Sequence, residues 1–385
     1  MAELRSARLG VVIVFFVYGG VLATWVSRIP LIKTELGLDT AELSVALLGS
    51  PVGLISATQV VSRLVERWTS ATVTLWGVIA ASTAVVLPAV AWNLPSLAVS
   101  LFLLGFSLGS LDIAMNTQGV AIEKGYARPI MSGIHGMYSV GVIVGAVIGA
   151  VAAHAEVDPL VHFAIAAVVL GTLGVFGARR LLGAEADREH EADASGRPMR
   201  LLSQPTLIAL GVIAFCCLFA EGAVDDWSGV YLHEEQGASL GVAPLAAAAC
   251  AAGMAIGRFL GDAVIARFGR PATLERAALV AGIGMLGAVA APTPGLAIAA
   301  YLVLGLGVAT IVPIAFTLAG TTPGVPPAWG ISRVTTLGYA GLFSSPPVIG
   351  LVAQVTGLTA ALLIPAFLLL LVVPLSRVTR SLSIP

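Results

Sequence analysis

Residues 101–153 read LFLLGFSLGSLDIAMNTQGVAIEKGYARPIMSGIHGMYSVGVIVGAVIGAVAA. Two apolar segments, each long enough to cross a bilayer, meet there at a short charged turn. Asp112, Asn116, His135 and Tyr138 are set inside them, with Gln118 close by. An ionisable side chain at membrane depth is costly, so it faces protein or a wet cavity and is a functional candidate by default. Asp112 and Asn116 are four apart, which puts both on one face of a helix.

The composition extends this reading to the whole chain. Of 385 residues, 58% are hydrophobic and only 11% charged, against about 25% charged in soluble domains. This is the profile of an all-α integral membrane protein. A net charge of −1 offers nothing to nucleic acid. Cys216, Cys217 and Cys250 sit in apolar runs without metal-site spacing and read as small buried apolar residues. No metal or cofactor is expected. The basic start MAELRSARLG is followed by no small-residue cleavage site, so the first apolar run is expected to be retained as a span.

A span needs roughly 20 mostly apolar residues. That window predicts twelve spans, at about 9–27, 41–62, 72–91, 95–121, 130–153, 159–178, 204–226, 241–264, 273–291, 295–318, 330–354 and 358–376. Numbering outward from a cytoplasmic N-terminus, eighteen of the twenty Lys and Arg residues fall on one face and only Arg28 and Lys33 on the other. The positive-inside rule then places both termini in the cytoplasm. The longest polar stretch, Arg179 to Arg200, divides the spans six and six. The expected organisation is a bundle over 1–178, a cytoplasmic linker over 179–203 and a second bundle over 204–385.

The halves repeat at an offset of about 200. Gly20 to Trp25 resembles Gly222 to Trp227, Val65 to Trp68 lines up with Ile265 to Phe268, and Leu104-Gly105 matches Leu304-Gly305. Ser132 and Gly141 match Ser332 and Gly341. Parallel halves related by an axis along the membrane normal are the arrangement of major facilitator transporters.

The chain resembles that superfamily over its whole length. The turn Leu64-Val65-Glu66-Arg67-Trp68 is similar to its G-x-L-x-D-R-x-G-R signature, with Thr69 where Gly is usual. Gly257 to Asp262 followed by Arg267 to Arg270 keeps more of it. The resemblance implies that Glu66, Arg67, Arg258, Asp262 and Arg267 latch the cytoplasmic side in one state. Leu111-Asp112-Ile113-Ala114-Met115-Asn116 is similar to the fourth span of the fucose–proton symporter branch, which carries Leu-acid-x-Ala-x-Asn. The phrases at 133–141, 221–232 and 335–350 look closer still to the YbjJ-type proteins of that branch. Asp112 carries over as the proton-linked acid and Asn116 as its neighbour. The symporter's second acid, four residues before a span-one proline, does not: Val26 stands four before Pro30. Fucose itself is therefore not implied.

The remaining candidates follow from position. His135 and Tyr138 are expected at a depth comparable to Asp112 on the neighbouring helix. Glu221 is expected in the outer half of span seven, with Asp225 and Asp226 near its mouth. Arg28, ending span one, is expected to pair with one of these three as an outer gate. The plainer alternative for the last two acids is solvated loop charge. Trp25 and Trp227, at matching points of the repeat, read either as an interfacial belt or as aromatic walls for a sugar-like ligand. Pro313, Pro346 and Pro347 are expected to kink spans ten and eleven.

No HExxH, GxSxG or P-loop pattern occurs, so no enzyme is expected and no ATP-driven step. The reading is a monomeric, proton-coupled secondary transporter of the cytoplasmic membrane, moving a small polar, sugar-like solute by alternating access. A proton-driven exporter of drugs or metabolites is the alternative within the class. A receptor that binds without transporting is the alternative outside it.

Overall fold

The computed structural model describes residues 2–126, 130–183, 205–323, 325 and 327–377. Among them there are helices and turns and no strand. In the first half, α1 (Ala2–Val26) and α2 (Ile29–Glu35) form one pass, and α3 (Thr40–Leu47) and α4 (Gly49–Arg67) a second. The third pass is α5 (Ser70–Ala84) with a 3-10 turn at Leu87–Val90. Then come α6 (Leu94–Tyr126), α7 (Met131–His154) and α8 (Pro159–Ala178). The second half repeats the order with α9 (Pro205–Glu234), α10 (Leu245–Phe268) and α11 (Arg270–Ala290). Its tenth pass is α12 (Pro294–Val308) with α13 (Ile311–Gly320), its eleventh α14 (Pro327–Thr356), and its twelfth α15 (Leu358–Ala361) with α16 (Leu363–Leu375).

Eleven of these passes are long and apolar enough to span a bilayer, and α10 contributes a shorter apolar stretch, Leu245–Gly261. As a helix α10 runs for 24 residues and carries Arg258 and Asp262 within it. Two passes overrun their sequence windows. The window for α9 closes at Asp226, but Trp227, Ser228, Val230, Tyr231 and Leu232 continue its buried side to Glu234. The first pass likewise continues past Arg28. It breaks at Ser27–Arg28 because Pro30, in the first turn of α2, has no N–H for the preceding turn. Of the expected linker, 184–203 lies outside the described residues.

The chain divides into two compact units, Met1–Ala192 with Ser239–Ala248, and Asp193–Ala238 with Ala249–Pro385. In the first, α1 packs on α6, α7 and α8, α4 on α6, and α5 on α6 and α8. In the second, α9 packs on α12, α13, α14 and α16, and α11 on α12 and α16. The duplication reaches single contacts. A Cβ on Gly53 would collide with the Phe102 carbonyl, and one on Gly253 with the Leu302 carbonyl. Gly105 meets the Ser50 carbonyl and Gly305 that of Cys250; Gly141 meets Phe16 and Gly341 meets Phe215. Each pair is a helix crossing that only a residue without a side chain permits.

The turns repeat too. Gly37 and Gly237 both have positive φ, 63° and 67°. After the second pass of each half, Thr69 (φ 131°) stands where its counterpart is Gly269 (φ 76°). The family-typical glycine position is thus occupied in the first half by a β-branched residue held in a backbone region that favours glycine. Thr69 Oγ1 partly offsets this by accepting from the Thr72 N–H, 3.2 Å. The offset of 199 to 200 along the first pass also sets Trp25 level with Val224–Asp225. Trp227 lies two to three residues further on and is not its counterpart, as the sequence match had suggested.

Candidate functional site

In the first unit, Asp112 and Asn116 share one face of α6, as their spacing requires. Asn116 Nδ2 lies 2.8 Å from the backbone oxygen of Asp112 and 3.0 Å from its Oδ1. The amide therefore donates to the turn above it and to the carboxyl at once. Both side chains are partly buried, neither sealed nor fully exposed. On α7, His135 Nδ1 donates to Met131 O at 3.1 Å and its ring tilts against Phe15, centroids 4.9 Å apart. Tyr138 meets Tyr18 in the same manner at 5.7 Å. The α1–α7 contact is therefore an aromatic seam carrying both predicted α7 residues.

Depth can be measured from Glu123. Its Oε2 accepts from the N–H groups of Ile130 and Met131, at 2.7 and 2.8 Å, and so fixes the start of α7 level with Glu123. At the helical rise, Asp112 then lies about 16 Å beyond that level, Tyr138 about 12 Å and His135 about 8 Å. Tyr138 is within one turn of Asp112, while His135 is shallower than expected and sits nearer the level of Asn116.

Gln118 takes a different place. It is fully buried, and its Nε2 donates to Ser70 Oγ (2.7 Å) and Leu182 O (3.0 Å). Its Oε1 accepts from Leu182 N–H (2.9 Å). The amide ties the start of α5, the end of α6 and the exit of α8 into one knot. That commits both its donors and leaves it unsuited to a ligand.

Arg28 is only 1% exposed. Its Nε donates to His162 Nδ1 at 3.2 Å and its Nη2 to Val157 O at 3.0 Å. The residues that hold it belong to its own half, on and just before α8. An accepting Nδ1 puts the imidazole proton on Nε2. Trp25 is buried as well (3% exposed), so the belt reading does not apply to it. The exposed tryptophans of this half are Trp68, Trp76 and Trp92.

In the second unit, Glu221 and Asp225 are four apart on α9, both partly buried. Glu221 is sixteen residues from the Pro205 end of α9 and thirteen from the Glu234 end, just past its centre on the expected side. Asp225 and Asp226 lie about 13 and 12 Å inside the end of the helix, away from the mouth where they were expected. Cys217 Sγ donates to Glu221 Oε1 (3.5 Å) one turn away. Electrostatically, Glu221 is coupled to Arg258, and Asp225 to both Asp226 and Glu221. Arg258 is ten residues short of the end of α10, about 15 Å. It is therefore a mid-helix cation within electrostatic reach of Glu221, deeper than the turn charges with which the sequence reading grouped it. Trp227 is fully enclosed, its Nε1 without a hydrogen-bond partner among the described residues, so the belt reading fails here too.

Of the turn residues, Arg67 ends α4 and Arg267 lies in the last turn of α10, both exposed. The Arg267 guanidinium sits 5.5 Å from the Phe268 ring. The side chains of Glu66 and Asp262 lie outside the described residues.

Residues 9–328 match the model of the Major Facilitator Superfamily. The chain belongs to that superfamily. An uncharacterised MFS-type transporter of Yersinia pestis is 33% identical over 371 residues, covering 95% of this chain and 94% of its own. The uncharacterised transporter y4wD of Sinorhizobium fredii is 30% identical over 381 residues, covering 99% and 100%. The membrane protein MosC of Rhizobium meliloti is 30% identical, covering 91% and 84%. Among solved structures, a mutant of the nucleoside transporter NupG superposes with a TM-score of 0.77 at 13% identity, covering 99% of this chain and all of the other. A second NupG structure gives 0.70 at 16% identity. This chain is thus a major facilitator transporter and a secondary carrier, not an enzyme.

Sequence reasoning missed three features of this carrier, two of them beyond its reach. The Gln118 knot joins residues 64 apart, and the Arg28–His162 contact joins residues 134 apart. Neither spacing carries a periodic signal. The Arg258–Glu221 coupling could have been found, since Arg258 interrupts an apolar run as Asp112 does and invites the same question.

Proposed function

We propose that this carrier is a proton-coupled transporter of a small polar, sugar-like solute, with Asp112 as the carboxyl that takes up and releases the proton. The observation that carries this is the pairing of Asp112 with Asn116 on one partly exposed face of α6. A carboxyl that cycles between charged and neutral forms needs a nearby polar partner and a route to water. Asn116 supplies the partner by donating to Oδ1. A carboxyl kept for packing alone would be enclosed, as Gln118 is.

Glu221 acts as the second proton-linked carboxyl, with Arg258 as its counter-charge and Asp225 as its neighbour. Tyr138, His135 and Asn116 contribute hydroxyl, imidazole and amide contacts for a hydroxyl-rich solute. Trp25 and Trp227, both buried, serve as packing residues within their own units. The turns carrying Glu66–Arg67 and Asp262–Arg267 serve as latches on the cytoplasmic side, with both termini in the cytoplasm and the protein in the cytoplasmic membrane as a monomer. The resemblance of Leu111–Asn116 to the fucose–proton symporter branch supports the sugar-like substrate class. Arg28 acts at the outer side through its contact with α8, and Asp226 acts within α9 as a neighbour of Asp225.

The test is uptake of a panel of neutral sugars and polyols by proteoliposomes, with and without an imposed proton gradient. At least one solute is expected to accumulate above equilibrium only with the gradient. Uptake of that solute that is equally concentrative at zero gradient would overturn the coupling.

A further inference from the structure

A groove of about 600 Å³ runs along the flank of the first unit between α5 and α8, away from the residues assigned to transport. Its walls include Ile79, Thr83, Val168 and Phe176, and Arg179 and Arg180 close one end. Val168 is 69% exposed and Phe176 48%, so the groove opens outward from the unit and not into its core. Gly171 opposite Ser82 lets the two helices approach at its deep end. We propose that this groove holds one acyl chain of an anionic phospholipid, with Arg179 and Arg180 on the lipid phosphate.

Dimensions and charge select this occupant. From Ala167 to Arg180 the α8 wall is about 20 Å long. That is somewhat more than one leaflet of a hydrocarbon core of about 30 Å, as a chain with its headgroup attached requires. The apolar walls suit a hydrocarbon chain, and the two guanidiniums stand at the end where α8 leaves the apolar layer. Basic pockets between transmembrane helices are a recurrent means of holding lipid phosphates.

The arginines are also held in position. Arg180 stacks on the Phe176 ring at 3.5 Å and donates from Nη1 to Phe176 O at 2.9 Å. Two residues on, both backbone groups of Leu182 are bonded to Gln118. The chain therefore cannot carry the charges away from the groove when α8 ends. Arg179 is exposed and free to turn its fork towards a phosphate.

The experiment is lipid binding to the full-length detergent-purified protein, read by native mass spectrometry. Phosphatidylglycerol and phosphatidylcholine of identical acyl chains are the probes. Wild type is expected to retain phosphatidylglycerol preferentially, with binding falling about fivefold per arginine removed in Arg179→Ala and Arg180→Ala. Arg179→Lys with Arg180→Lys should keep most of the preference. Val168→Trp, which fills the groove and leaves the charges intact, should lower retention of both lipids. Equal retention of the two lipids by wild type, or an unchanged preference in the double alanine variant, overturns the proposal. So does undiminished retention in a Val168→Trp protein that unfolds at the wild-type temperature.

Discussion

The Asn116 amide spans the backbone oxygen and the Oδ1 of Asp112, at 2.8 and 3.0 Å. One side chain thus holds both the helix turn and the carboxyl that sits on it. Among the described residues the carboxyl is fixed in direction by a neutral donor and not by a cation. It can therefore lose or gain a proton without breaking an ion pair.

Replacing Asn116 with Ala removes that donor and leaves the fold in place. A hydrogen bond to a charged group contributes about 1.5–3 kcal/mol. Gradient-driven uptake is expected to fall by at least tenfold while the unfolding temperature moves by no more than a few degrees. Parallel uptake and thermal-unfolding measurements check both halves of the expectation.

Gln118 should behave in the opposite way. Gln118→Leu removes three bonds and orphans both backbone groups of Leu182. Each buried unsatisfied group costs about 1–3 kcal/mol. A clear drop in unfolding temperature is expected, with an unchanged KM in the protein that remains folded. A raised KM with normal stability would return Gln118 to the ligand site.

The turn at Thr69 offers a gain. Residues held outside their favoured backbone regions cost about 1–3 kcal/mol, and loss of a threonine cap to glycine costs only a few tenths. Thr69→Gly is expected to raise stability by about 1 kcal/mol. Gly269→Thr, its mirror in the second half, is expected to lower it by a similar amount. Thermal unfolding of the two single variants reads the opposite signs directly.

Arg28 and His162 should be unequal partners. Arg28→Ala leaves His162 Nδ1 and Val157 O without their donor, at about 1–3 kcal/mol. His162→Ala instead leaves a buried guanidinium short of an acceptor, and an unsatisfied charged group costs more than the ~1–3 kcal/mol of a neutral one. The histidine variant is therefore expected to be the less stable, with a double-mutant cycle showing coupling between the two. Additive effects would mean the contact contributes nothing.

Much of the architecture was legible because a bilayer demands long apolar stretches, and such stretches need no partner to be recognised. The errors came where a charge truncated a hydropathy window. Asp226 closed the window of α9 two turns early, which put Asp225 and Asp226 near a mouth they do not occupy. Asp112 and Asn116 were legible because their relation is local, one helical turn. Gln118 and Arg28 were not, because what each does is set by chain 64 and 134 residues away. The glycine pairs lie between these cases. Their offset of 200 was visible in the sequence, while the carbonyls they admit emerged only with the helices packed.

The most direct measurement is solute movement through Asp112→Asn in proteoliposomes, read in two modes. Asparagine keeps the shape and a hydrogen-bonding group but cannot carry a proton. The account predicts that accumulation driven by an imposed proton gradient disappears while exchange of labelled for unlabelled solute at equal pH persists. Full gradient-driven accumulation by Asp112→Asn would contradict it.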